Sequence, residues 1–372
     1  MAGKPGSGNA MAAVWHRRVL TIPALLALLA VLSLSLTLIL TTSWNSEDVP
    51  VMQPTQTWNM GSPVTAVALS PDGQYVAVGL DNGHIQLRQA SDGTVIWDVL
   101  AHATQPDVPY TFSQVRTLLF SHDGRMLASA GNDRRMVLWQ AADGKELQIW
   151  NTGEQGVRAL AFSPNNAFLA TSGPLGSINI FNTSTGDLSQ TLPGASDSSS
   201  KSVQFVLDLA FSADRRTLTS VTDDDKVYMW RVPEGTLKHS RPGIYNNITL
   251  PLVLSAHGEL LAGGAQAEIY VSKLDEQDSS EPYTLTGHRT VVSSIAFSSD
   301  GLQLASGGSE PVHADYPYRP DTNVHVWDLS SGLPTLILKG HTDTVNSIAW
   351  GPDNNQLVSG SKDGTVRVWS LK

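Results

Sequence analysis

The sequence predicts an all-β fold, a seven-bladed β-propeller closed by an N-terminal strand and preceded by one transmembrane helix. Three observations carry this. After residue 60, one phrase returns seven times: an apolar strand running into a Ser-Pro-Asp-Gly-like turn. In step with it, a third strand closes at Arg88, Trp139, Phe181, Trp230, Ser272, Trp327 and Trp369, at intervals of 51, 42, 49, 42, 55 and 42 residues. Ahead of both lies Val19 to Leu40, a run of 22 residues without a charge.

Residues 1–18 hold Lys4, Arg17 and Arg18 and no acid, and form a basic tail. Residues 19–40 are long enough to span a membrane, because a helix rises ~1.5 Å per residue and the hydrocarbon core is ~30 Å thick. A cleaved signal peptide also starts basic, but its apolar stretch is ordinarily about 7–15 residues and ends in a small-x-small site. Leu38 to Trp44 offers no such site. Basic residues before the span, with Glu47 and Asp48 after it, place the N-terminus in the cytoplasm and the rest of the chain outside it. The expectation is a single-pass membrane protein with membrane contact through residues 19–40. The alternative is a protein secreted after signal-peptide cleavage. Residues 41–50 form a linker.

Residues 51–372 carry the repeats. Val64–Gly73 (VTAVALSPDG), Val115–Gly124 (VRTLLFSHDG), Val157–Asn166 (VRALAFSPNN) and Val206–Arg215 (VLDLAFSADR) are four copies. Leu250–Gly258, Val292–Gly301 and Val345–Asn354 are three more. A basal period of 42 with three insertions fits a four-stranded propeller blade. Short β-rich runs broken by Gly/Asp turns exclude a helical solenoid.

The last copies add a second set of residues. Gly340-His341, Asp363-Gly364 and Val366-Arg367-Val368-Trp369 stand in the seventh, and Gly287-His288 with Val324-His325-Val326-Trp327-Asp328 in the sixth. Here the chain resembles the WD-repeat β-propellers. That resemblance implies a structural network of His341, Ser359 or Ser361, Asp363 and Trp369 in blade seven, and of His288, Ser306, Asp321 and Trp327 in blade six. Other blades depart from the pattern: Phe181 and Ser272 stand where Trp belongs, and the third and fifth turns lack Asp. His, Ser and Asp together have the composition of a nucleophilic triad. Their recurrence at equivalent positions favours a hydrogen-bond network holding strands together, since a fold-specific network repeats and an active site rarely does.

The seventh copy ends after its third strand. Gln56-Thr57-Trp58-Asn59 resembles Gln148-Ile149-Trp150-Asn151, a fourth strand of an earlier blade, so Val51–Trp58 is expected to pair with Thr365–Ser370 and close a monomeric ring. In the family the fourth-to-first and second-to-third loops open on one face, the top. A fourth strand runs toward that face, which would start Val51 at the bottom rim and turn the bottom face to the lipid. Three long loops map to the top: Ala101–Gln114, Gly194–Ser202 and Ser309–Pro320. Tyr316, Tyr318 and Arg319, with Tyr110 and Phe112, are residue types favoured at binding hot spots and are the candidate partner-binding residues. A loop packed on its own blade is the competing reading. The acidic run Asp275–Glu281 falls on the bottom face.

Composition narrows the function. The chain has no cysteine, which excludes disulfides, thiolate metal sites and cysteine nucleophiles. Its net charge of −10 argues against general nucleic-acid binding. There is no G-x-S-x-G, P-loop, H-E-x-x-H or G-x-G-x-x-G motif, and the ten histidines are scattered. The expectation is a non-catalytic protein–protein interaction platform with no cofactor, binding a protein or peptide on its top face. The alternative is an extracytoplasmic propeller enzyme or small-ligand sensor with a site in the central funnel.

Overall fold

In a computed structural model of the chain, the residues described are 49–103, 113–152, 156–194, 205–232, 234–243, 251–274, 282–309 and 321–372. The expected span at 19–40 lies outside them. No helix among the described residues is long and apolar enough to cross a membrane.

Seven antiparallel sheets follow one another along the chain. Blade one comprises Val64–Leu69, Tyr75–Leu80, His84–Gln89 and Val95–Leu100; blades two to six repeat this meander, and blade seven repeats its first three strands. The first strands touch in order around the molecule, and that of blade seven, Val345–Trp350, returns to that of blade one. The ring is therefore closed, with the first strands innermost.

Local chemistry sets the repeat. In the turn from first to second strand, Ser70 Oγ donates to Asp72 Oδ1, and the same carboxylate oxygen accepts the Gln74 N–H at 3.0 Å. The fourth turn residue is left-handed in all seven copies, with φ between 58° and 71° at Gly73, Gly124, Asn166, Arg215, Gly258, Gly301 and Asn354. Glycine takes that conformation freely and asparagine at small cost, which explains Gly and Asn in the phrase but not Arg215.

The core lies between blades. Seven buried apolar clusters among the described residues correspond to the seven blade interfaces. Between blades one and two, Leu87 and Trp97 pack with Val115, Phe120, Leu127 and Trp139. Close approach there requires glycine on the second strand. A Cβ at Gly79 would stand 2.6 Å from Val115, and one at Gly360 would stand 2.4 Å from Val64 across the ring closure.

The closure differs in part from expectation. Gln56–Asn59 supplies the outer strand of blade seven, antiparallel to Thr365–Ser370, with Gln56 opposite Val368 and Asn59 opposite Thr365. Val51–Met52 does not join that sheet. It pairs in parallel with Leu333–Leu338, the fourth strand of blade six, Val51 opposite Ile337 and Met52 opposite Leu338. The Ile337 N–H donates to the Pro50 carbonyl at 2.9 Å and Val49 is buried. Leu338 is the end that leads into the fourth-to-first loop, so Val51 sits near the top of blade six, not at the bottom rim. The premise for turning the bottom face to the lipid is thereby removed. Its physical reason is that the outer edge of blade six offers unpaired backbone groups, which the incoming chain satisfies before it reaches blade seven.

Candidate functional site

The polar residues inside the ring form three copies of one array. In blade seven, His341 Nδ1 lies 3.0 Å from Asp363 Oδ2 and Nε2 lies 2.8 Å from Ser359 Oγ, to which Trp369 Nε1 donates at 2.9 Å. Of the two serines open at this position, Ser359 is the partner, while Ser361 Oγ donates to the Asp343 carbonyl at 3.1 Å. In blade six, His288 Nδ1 lies 3.0 Å from Asp321 Oδ2, and Nε2 lies 2.7 Å from Ser306 Oγ, which Trp327 Nε1 meets at 2.7 Å.

A third copy was not legible from sequence. In blade two, His102 Nδ1 stands 2.8 Å from Asp133 Oδ1 and Nε2 stands 2.9 Å from Ser129 Oγ, which takes the Trp139 N–H at 2.8 Å. Ala101 replaces the usual glycine before this histidine, and the long loop widens the His–Ser separation to 27 residues from 18 in blades six and seven. The surviving signal was the serine ten residues before a third-strand tryptophan, a spacing shared by blades two, four and seven.

Directionality gives the array its chemistry. Tryptophan N–H donates to serine, serine O–H donates to histidine Nε2, and histidine Nδ1–H donates to the aspartate. Ser129, Ser306 and Ser359 have no exposed surface, so no substrate carbonyl can reach them. Burial pushes His341 below its ordinary range despite Asp363 beside it. Burial opposes ionisation of Asp363, but hydrogen bonds from His341, Thr365 and the Thr342 N–H hold its carboxyl well below the usual range. The array is a fastener, each bond worth about 0.5–1.5 kcal/mol net.

Blade six departs from the other two. His325 stacks on Trp327 with ring centroids 5.7 Å apart and stands 4.1 Å from the His288 ring. The equivalent third-strand positions hold Val137 in blade two and Arg367 in blade seven. Burial, and then His325 beside it, push His288 down to about 4.

A second polar feature lies at the top end of the first strands. Arg116 and Arg158 occupy equivalent positions in blades two and three, second in the repeated phrase. Partial burial, and then the Arg158 charge, lower Arg116 from its ordinary value. Arg158 lies over the Phe205 ring at 4.1 Å, and its Nε has no hydrogen-bond partner among the described residues. Neither arginine has a carboxylate within ion-pair distance among those residues. Tyr110, Phe112, Tyr316, Tyr318, Arg319 and the Asp275–Glu281 run all lie outside the described residues.

Comparison with known families now bears on this geometry. The WD domain, G-beta repeat model matches residues 108–140, 144–182, 186–231, 279–328 and 332–370, more than half of the chain. The chain belongs to the WD-repeat family. The WD-repeat matches leave out blade one and most of blade five, where Arg88 and Ser272 replace the third-strand tryptophan. A WD40 domain model of anaphase-promoting complex subunit 4 also matches residues 28–111. The WDS homolog of Arabidopsis thaliana, a WD repeat-containing protein, is 24% identical over 307 residues, covering 69% of this chain and 55% of its own length. Rat coronin-7 is 28% identical over 165 residues, covering 44% of this chain and 13% of its own. Rat telomerase protein component 1 is 24% identical over 349 residues, covering 84% of this chain and 12% of its own. The chain thus spans about half the length of the first of these relatives and a small part of the other two.

Proposed function

We propose that this WD-repeat chain is a membrane-anchored, non-catalytic interaction platform whose top face takes a protein or peptide that presents an acidic side chain. The observation that carries the reading is the Arg116–Arg158 pair. Two like charges at the heads of neighbouring blades, without a carboxylate in ion-pair distance among the described residues, repel each other, and a bound anion would relieve that repulsion. The serine arrays support the non-catalytic half of the reading, since their hydroxyls are sealed within the blades. The uncharged run at 19–40 and the basic tail before it support the anchor, with the ring outside the cytoplasm.

Two measurements test this. Partners cross-linked in intact membranes are compared between the wild type and an Arg116→Glu/Arg158→Glu variant of equal thermal midpoint. A partner that the wild type holds and the variant loses, with affinity that falls as salt rises, is expected. A partner set unchanged by charge reversal would remove the arginine pair from the reading. A cysteine introduced at Gln190, on the outer strand of blade three, should react with an impermeant maleimide in intact cells. Labelling only after the membrane is opened would overturn the topology.

A further inference from the structure

The His288–Asp321–His325 group in blade six is more than a copy of the fastener. One ligand atom from each of His288, Asp321 and His325 lies within 4.8 Å of the other two, and all three residues are buried. His288 Nδ1 to Asp321 Oδ2 is 3.0 Å, and His325 Nε2 to Asp321 Oδ2 is 3.4 Å. Ligand atoms about 2.0–2.1 Å from a tetrahedral zinc stand roughly 3.3 Å apart, so the 3.4 Å edge already has that length and the 3.0 Å edge needs only a small opening.

The fastener does not explain His325. Blades two and seven complete the same array without a histidine there. Its residue is 3% exposed, and neither ring nitrogen has a hydrogen-bond partner among the described residues. Nε2 has only the Asp321 carboxylate contact at 3.4 Å and Nδ1 has no partner, so the position is poorly built for a purely structural role.

The surroundings are those of a ligand shell. Metal-bound histidines ordinarily fix their other ring nitrogen through an outer hydrogen bond, and His288 has Ser306 at 2.7 Å for this. Ligating carboxylates are likewise held, and Asp321 accepts from the Arg289 N–H at 3.1 Å and from Asn323 Nδ2 at 2.8 Å.

We propose that His288 Nδ1, Asp321 Oδ2 and His325 Nε2 bind one divalent transition-metal ion of the zinc class. Two imidazoles and one carboxylate are a donor set suited to such ions and poor for calcium or magnesium. On binding, the ion takes the place of the proton shared between His288 and Asp321, and that proton leaves to solvent. The bound ion ties the second-to-third loop end of blade six to the fourth-to-first loop that carries His288.

The test uses the full-length chain, stripped with a chelator and dialysed against zinc, with metal content measured by mass spectrometry. The variants are His325→Val and His325→Arg, which carry the residues that blades two and seven accept at this position. The wild type is expected to hold one zinc per chain and to melt at a higher temperature with zinc than without. Cobalt should give the visible absorption of a four-coordinate site, the three side chains being joined by one water. Both variants should lose the ion and the zinc-dependent shift, weakening zinc beyond the roughly 10–100-fold that loss of an outer-shell partner costs. A wild type that retains no zinc would overturn the proposal. So would His325 variants that retain as much zinc as the wild type.

Discussion

Val51 lies opposite Ile337 in a parallel pair, so the chain touches blade six before it completes blade seven. Only two residues make this contact, whereas Gln56–Asn59 pairs along four and sets Trp58 into the interface between blades seven and one. A chain beginning at residue 55 should stay folded and monomeric, with a small fall in midpoint. A chain beginning at residue 61 exposes the edge of Thr365–Ser370 and should aggregate. Size-exclusion chromatography with thermal melting checks both. Equal midpoints for the two truncations would rule out closure by Gln56–Asn59.

His102 and Asp133 form an ion-pair contact with no exposed side-chain surface on either partner. Asp133 Oδ2 already has no hydrogen-bond partner among the described residues. Changing His102 to Ala leaves the buried carboxylate only the Arg135 N–H at 3.1 Å and should cost about 1–3 kcal/mol in urea unfolding at unchanged slope. His341→Ala should cost less, because Asp363 keeps the Thr342 N–H at 3.0 Å and the Thr365 hydroxyl.

Asp208 bridges blades four and five by accepting the Leu254 N–H at 2.7 Å. Its surface is only partly covered, yet packed neighbours surround it, and this burial pushes the carboxyl up to about 6, against the Leu254 and Leu209 N–H groups that favour its ionised form. The folded state therefore holds this proton more tightly than the unfolded chain. This contribution to stability is greatest near pH 4, falls as pH rises, and is lost above about pH 6, by on the order of 1–3 kcal/mol. Asp208→Asn should flatten that part of the profile, read as urea midpoints at pH 4.5, 5.5 and 7. A profile unchanged by the substitution would assign the slope to other groups.

Arg215 takes the left-handed turn position with φ 65°, where four other blades hold glycine at 68° to 71°. A side chain there costs roughly 1–2 kcal/mol, offset in part by the greater unfolded-state freedom of glycine. Arg215→Gly should raise stability by up to about 1 kcal/mol, measured by urea unfolding. Gly124→Arg should lower it.

The seven-fold period and the turn chemistry were legible in the sequence because each is local. A Ser and an Asp two residues apart, followed by a residue able to turn left-handed, make the hairpin from their own side chains, whichever blade they stand in. The arrays of blades six and seven were legible because Gly-His precedes an uninterrupted repeat. That of blade two was hidden, since a loop insertion separates His102 from Ser129. Contacts across the ring were decided by tertiary structure alone. Val51 meets Ile337, and His325 meets His288, across separations that no short-range pattern encodes. Likewise Arg116 and Arg158 become neighbours only because successive first strands line one ring, which brings residues a full repeat apart side by side.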